Sequence, residues 1–150
     1  MKIVLFRPQI PQNTGNIVRL CANTDSELYL VKPLGFSISD RKLKRAGLDH
    51  WEGVKVFFLD DLMRFLLETD NNFYFFSSKA LPLYTEPQYT ASDLLIFGSE
   101  TFGIDDEFWK RWPEKFYTIP QREKSRCLNL ANSVSIVLYE SLRQQRFAPI

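Results

Sequence analysis

Three short segments carry the residues whose types and spacing could do chemistry. Pro11-Gln12-Asn13-Thr14-Gly15-Asn16 sets polar side chains and one glycine just after an apolar run and leads to Arg19. Gly98-Ser99-Glu100-Thr101-Phe102-Gly103 places two glycines five apart around Glu100, letting backbone approach a ligand with no Cβ in the way. Ile119-Pro120 precedes a basic loop, and Ser125-Arg126-Cys127-Leu128-Asn129-Leu130 then opens a helical pattern, whose free N–H groups favour a carboxylate or polar ligand. Each segment also has a plain structural explanation: a cap by Asn13 or Thr14, a glycine turn, and a cap by Ser125 or Asn129.

Several other chemistries lack their residues. No Gly-x-Gly-x-x-Gly follows the first apolar run and no Gly-x-x-x-x-Gly-Lys-Ser/Thr occurs, which disfavours a nicotinamide-dependent oxidoreductase and a P-loop nucleotidase. His50 is the single histidine, with no partner for a triad or a metal, and reads as a surface or packing residue. Cys21 and Cys127 are too few for a disulfide framework, and neither has a second Cys or His at metal-ligand spacing, so no metal site is expected. No histidine stands by to activate Cys127 as a nucleophile.

The elements that must position these segments alternate. Lys2 to Phe6 reads as a buried strand, and a helix follows from about Asn13, with Ile17, Leu20 and Cys21 on one stripe and Asn16, Arg19 and Asn23 on another. Leu28 to Val31 is a second strand; Ser39-Asp40 caps a basic helix ending at Gly47. Val54 to Leu59, Phe73 to Phe76, Leu94 to Phe97 and Phe116 to Ile119 read as further strands. Between them, Asp60-Asp61 caps a helix through Leu67, and Asp105 to Trp112 forms a short one. From Leu128 to about Gln145, positions 130, 131, 134, 137, 138, 141 and 142 favour one side of the longest helix. Strands alternating with helices predict an α/β fold with a mostly parallel sheet flanked by helices. In such sheets ligands bind beyond the carboxyl ends of the strands, where all three segments fall.

At 150 residues, one domain spanning 1–150 is expected, with no linker or internal repeat. The chain is 45% hydrophobic and 25% charged, a globular composition. No apolar run approaches the ~20 residues needed to cross a bilayer, and the N-terminus has no export pattern, so a cytoplasmic protein without membrane contact is expected. A net charge of +1 announces no partner, but basic residues cluster in Arg41-Lys42-Leu43-Lys44-Arg45 and Arg122-Glu123-Lys124-Ser125-Arg126. Either cluster could meet phosphates or be ordinary solvated surface.

Taken together, the motifs resemble those of the SPOUT superfamily of RNA methyltransferases, and within it the TrmL (YibK) group of tRNA ribose methyltransferases. The resemblance covers essentially the whole chain. It rests on the string from Ile10 to Thr24, on Arg45-Ala46-Gly47-Leu48-Asp49, on Phe97-Gly98-Ser99-Glu100-Thr101, and on Asn129-Leu130 through Val137-Leu138-Tyr139-Glu140. It implies an α/β fold whose C-terminal segment threads a loop to form a deep trefoil knot, an exception to the rule against knots. It implies S-adenosyl-L-methionine as cofactor, held at Phe76, Ser77, Gly98, Gly103, Ile119, Cys127 and Leu128. It also implies a homodimer, with the first and last helices in the interface and each site completed by the partner subunit.

The implied reaction is in-line transfer of methyl to a ribose 2'-hydroxyl, for which the protein orients the hydroxyl and the cofactor. The resemblance places Asn13, Arg19, Glu100 and Asn129 in the active site, with Tyr139 a further candidate for proton transfer. A guanidinium with a pKa above about 12 stays protonated, so Arg19 is expected to bind a phosphate or stabilise a developing alkoxide. Cys127 and Ala131 stand where close relatives commonly carry serine. The implied substrate is tRNA, at the ribose of the wobble nucleotide 34, cytidine or modified uridine, with Lys42, Lys44, Arg45, Arg122, Lys124 and Arg126 on the RNA backbone. The rival readings are a knotted module that binds S-adenosylmethionine or RNA without transferring methyl, and methylation at another RNA site.

Overall fold

The computed structural model describes residues 1–38 and 53–148. The basic helix expected between Ser39 and Gly47, with Lys42, Lys44 and Arg45, lies outside those residues, as does His50.

The described residues form a six-stranded, wholly parallel sheet with helices on both faces. In chain order the elements are β1 (Lys2–Phe6), α1 (Pro11–Asn23), β2 (Glu27–Val31), β3 (Val56–Leu59), α2 (Leu62–Glu68), β4 (Phe73–Phe76), β5 (Leu94–Phe97), α3 (Asp106–Arg111), β6 (Phe116–Tyr117) and α4 (Leu130–Gln144). The strand order is β3-β2-β1-β5-β4-β6, with β1 paired to β2 and β5 in the centre. No helix of the described residues is long and apolar enough to cross a membrane.

Side chains alternate across the sheet because successive residues of a strand point to opposite faces. Ile3, Leu5, Leu28, Leu30, Tyr74, Phe76, Leu95 and Phe97 meet Ile17, Val18 and Cys21 of α1 and Val134, Val137, Leu138 and Leu142 of α4. Val4, Phe6, Val31, Phe73, Phe75, Leu94 and Ile96 meet Leu62 and Leu66 of α2 and Phe108 of α3 on the other face. Both faces are covered, which is why the central strands are unbroken apolar runs.

Several boundaries depart from the sequence reading, among them the start of α4, which is Leu130 rather than Leu128. β6 stops at Tyr117 rather than Ile119: Thr118 turns from β4 to an isolated parallel bridge with Leu83, its N–H donating to the Pro82 carbonyl at 2.7 Å and its carbonyl accepting from Tyr84 N–H at 2.9 Å. β3 begins at Val56 rather than Val54, two residues after the expected start. α1 starts at Pro11, so Asn13 and Thr14 are buried inside its first turn and neither is the N-cap. Ile10 occupies that position, with a backbone carbonyl that accepts from Asn13 and Thr14 N–H but no side-chain oxygen to offer. Elsewhere Asp61 accepts from Arg64 N–H at 3.0 Å to cap α2, and Asn129, not Ser125, caps α4.

Candidate active site

Because all strands run one way, the segments after β1, β4, β5 and β6 collect at one edge of the sheet. There they enclose a cleft of about 470 Å³, within the size range of small-molecule sites. Phe76, Phe97, Ile104, Trp109 and Ile119 make its apolar surface; Ser77, Ser78, Lys79, Gln121 and Ser133 add polar groups.

The turn after β5 is tightly built. Ser99 and Gly103 exchange backbone hydrogen bonds at 3.0 and 2.9 Å. The Ser99 hydroxyl accepts from Thr101 N–H at 3.2 Å and Phe102 N–H at 3.4 Å. Gly103 has φ of +70°, and a Cβ on Gly98 would lie 2.5 Å from the Gly103 carbonyl carbon. Both glycines are therefore required by local geometry, one for its dihedral and one for its lack of bulk.

That turn aims Glu100 at the start of α1. Its carboxylate accepts from Gln9 N–H at 2.8 Å, Ile10 N–H at 3.2 Å and Asn13 Nδ2 at 3.0 Å. Glu100 thus takes up, from a distant segment, the N–H groups of the two residues that lead into α1, and its negative charge sits at the positive end of the helix. Asn13 Oδ1 in turn accepts from Asn129 Nδ2 at 2.8 Å, and Asn129 Oδ1 accepts from Ala131 and Asn132 N–H at 2.9 and 3.3 Å. The chain of bonds fixes each amide's orientation, since reversing either one sets donor against donor. Glu100, with both oxygens engaged, holds the loop before α1 and the first turn of that helix to the turn after β5.

The remaining wall comes from the segment between β6 and α4. Leu128 N–H donates to Gln121 Oε1 at 3.0 Å, and the Cys127 thiol lies 3.4 Å from the Ser78 hydroxyl. Cys21, by contrast, is buried under α1, where desolvation pushes its thiol up to about 12, leaving it a packing residue. Ala131 is buried, and its contribution to the Asn129 bond is a backbone N–H, for which no side-chain hydroxyl is needed.

Asn13, Glu100 and Asn129 therefore come together, and Phe76, Ser77, Gly98, Gly103, Ile119, Cys127 and Leu128 all line the same cleft. Arg19 and Tyr139 stand apart from it on exposed helix faces. Six residues of helix carry Arg19 about 9 Å along the axis and about 240° around it from Asn13. Ten residues carry Tyr139 about 15 Å along α4 from its cap. Arg122, Lys124 and Arg126 are exposed on the loop after β6.

Ser78, Lys79 and Trp109 line the cleft without having been singled out in the sequence. Ser78 and Lys79 carried a usable signal, since Ser77-Ser78-Lys79 directly follows a strand. Trp109 carried none, because α3 delivers it from the side. Among the described residues no group of three or more His, Cys, Asp and Glu could hold a metal ion.

Known proteins align with this chain along nearly its whole length. Two relatives named tRNA (cytidine(34)-2'-O)-methyltransferase are similar: one from Yersinia pestis is 42% identical over 151 residues, and one from Escherichia coli K12 is 41% identical over 146. Each alignment covers 96% of this chain and 93% of the relative. A solved structure concerned with 2-OH methylation of C/U34 on tRNA is 36% identical, with a TM-score of 0.89 over 97% of this chain and 96% of that one. The SpoU rRNA Methylase family matches residues 1–139, and with that match, these relatives and the parallel sheet that gathers the three segments at one edge, the chain belongs to that family.

Proposed function

We propose that this chain, as a single domain working in the cytoplasm, transfers methyl from S-adenosyl-L-methionine to the ribose 2'-hydroxyl of tRNA nucleotide 34, cytidine or modified uridine. The observation that carries the reading is the cleft at the strand ends, whose walls are locked together by Glu100, Asn13 and Asn129, in a chain alike over 96% of its length to relatives named for that reaction.

The residues present fit the cofactor: apolar side chains suit an adenine, and the hydroxyls, Gln121 and Lys79 suit its polar arm. When bound, S-adenosylmethionine supplies an electrophilic methyl on a sulfonium. Within this chain, Gly98 and Gly103 shape the wall after β5, and Cys127 and Leu128 shape the wall before α4. Glu100 acts by holding the loop before α1, since its oxygens already accept three donors. Arg19 stabilises the developing alkoxide or a substrate phosphate as a permanent cation. Tyr139, exposed on α4, is the remaining proton-transfer candidate.

Arg19 reaches a cleft through a second copy of the chain. Supporting a homodimer, Gln12, Asn16, Arg19 and Asn23 make one exposed stripe on α1, and Asn132, Ile136, Tyr139 and Arg143 make another on α4. The trefoil knot of the family is supported by bonds to the loop between β4 and β5 from the start of the β6–α4 segment and from the far end of α4: Thr118 to Pro82 and Tyr84, and Gln144 to Pro87 and Tyr89. Arg122, Lys124 and Arg126, with Lys42, Lys44 and Arg45, neutralise RNA phosphates.

The test is transfer of labelled methyl to tRNA lacking ribose methylation, with the product mapped by nucleoside mass spectrometry. The wild type is expected to give 2'-O-methylation at nucleotide 34, lost in Arg19→Ala. Intact cofactor binding with no methylated RNA across several tRNA preparations would instead make the chain a binding module.

A further inference from the structure

Phe102 is 71% exposed, yet it lines the mouth of the cleft two residues beyond Glu100. A single exposed apolar side chain is ordinary on a protein surface, so exposure alone decides nothing. Its placement does. The turn that carries it is closed by the reciprocal Ser99–Gly103 bonds, and its own N–H is held by the Ser99 hydroxyl. The ring is therefore presented to solvent on a preorganised support, without the ordering cost that a mobile loop would bring to binding.

The other border of the mouth is the segment bearing Arg122, Lys124 and Arg126, next to the cleft-lining Gln121, Cys127 and Leu128. Cations track a phosphate backbone, and an aromatic face beside them is the surface on which an unstacked base rests. A nucleotide that brings its 2'-oxygen into the cleft gives up a stacking neighbour, and the Phe102 face replaces it.

We propose that Phe102 is a positioning residue: a stacking platform for a base of the RNA substrate at or next to the reacting ribose. The proposal rests on the RNA-methyltransferase reading above and adds to it where the base lies. Phe102 touches no reacting atom in this scheme; it sets how the nucleotide enters.

The experiment compares wild type with Phe102→Trp, Phe102→Leu and Phe102→Ala. Fluorescence is read from an anticodon stem-loop carrying pyrrolocytidine at position 34, alongside transfer kinetics on tRNA, S-adenosylmethionine affinity by calorimetry, and mass in solution. Wild type and Phe102→Trp should quench the fluorophore. Phe102→Leu and Phe102→Ala should not, and their KM for RNA should rise about ten-fold or more, with kcat at saturating RNA and cofactor affinity little changed. Equal quenching and equal KM in all four proteins would overturn the platform. So would a loss of cofactor affinity in Phe102→Ala, which would assign the ring to the cofactor pocket, or a change in mass, which would place it between copies. Absence of transfer by the wild type overturns the methyltransferase reading and the platform with it, an outcome distinct from wild-type transfer that ignores Phe102.

Discussion

Glu100 separates two roles that a carboxylate in a cleft can play. A proton acceptor needs a free oxygen facing the substrate; this carboxylate spends its oxygens on three N–H groups of the loop before α1 and its first turn. Hydrogen bonds to a charged partner contribute about 1.5–3 kcal/mol each. Glu100→Gln keeps the shape but turns an amide NH₂ toward donors, so urea unfolding should show a loss of about 1–3 kcal/mol. Lost turnover at unchanged stability would instead mark the carboxylate as the base. The sequence made Glu100 conspicuous between its glycines but could not show what it meets, because its partners lie about 90 positions earlier in the chain.

At the scale of elements, the legible parts were those decided by local pattern. Phe73–Phe76 and Leu94–Phe97 are uninterrupted apolar runs with polar or glycine ends, and both strands fall where the pattern puts them. The inner stripe of α4 is likewise buried at every position the periodicity marked. Of the parts that departed, the start of α1 follows Pro11, whose fixed φ suits the first helical position, while the end of β6 is set by the remote Pro82 and Tyr84. The last turn of α4 shows a similar long reach. Glu140 accepts from Arg143 at 2.7 and 2.9 Å and from Gln144 at 3.0 Å, while Gln144 bonds Pro87 and Tyr89 of the distant loop. The Arg143 bond, ahead of the opposing effect of burial, holds the Glu140 carboxyl below its ordinary value. A depressed carboxyl pKa gives stability that is full above its unfolded value near 4.5 and is lost as pH falls through the lower folded one. Thermal unfolding between pH 6 and 3 should therefore show a smaller acid loss in Glu140→Gln than in wild type; parallel curves would exclude the contribution.

For the whole molecule, the role proposed for Arg19 requires a residue about 9 Å along α1 from Asn13 to serve a cleft at its start. The proposed two-fold dimer would meet that requirement by pairing identical surfaces, so that Arg19 of each copy would face the cleft of the other. Subunit mixing tests this directly. Gly98→Val, whose side chain collides with Gly103, and Arg19→Ala should each be inactive alone. Refolded together in equal amounts they should recover about a quarter of wild-type transfer, because half the dimers are mixed and each has one intact site. No recovery, with mixed dimers demonstrated by mass, would place Arg19 and the cleft in the same subunit's site. Nothing in the one-dimensional pattern distinguished these cases, since exposed stripes on two helices read the same whether water or a second copy covers them.

The bonds that join the walls of the cleft span 87 residues between Asn13 and Glu100 and 116 between Asn13 and Asn129. During synthesis, the first motif emerges long before the other two, and α1 has no side-chain cap of its own with which to finish its N-terminus. The cleft is therefore assembled only once Asn129 has emerged and closed against Asn13. A product terminated before Asn129 would carry all six described strands and two of the three motifs yet present no finished pocket, so a formed sheet does not by itself mean a formed site.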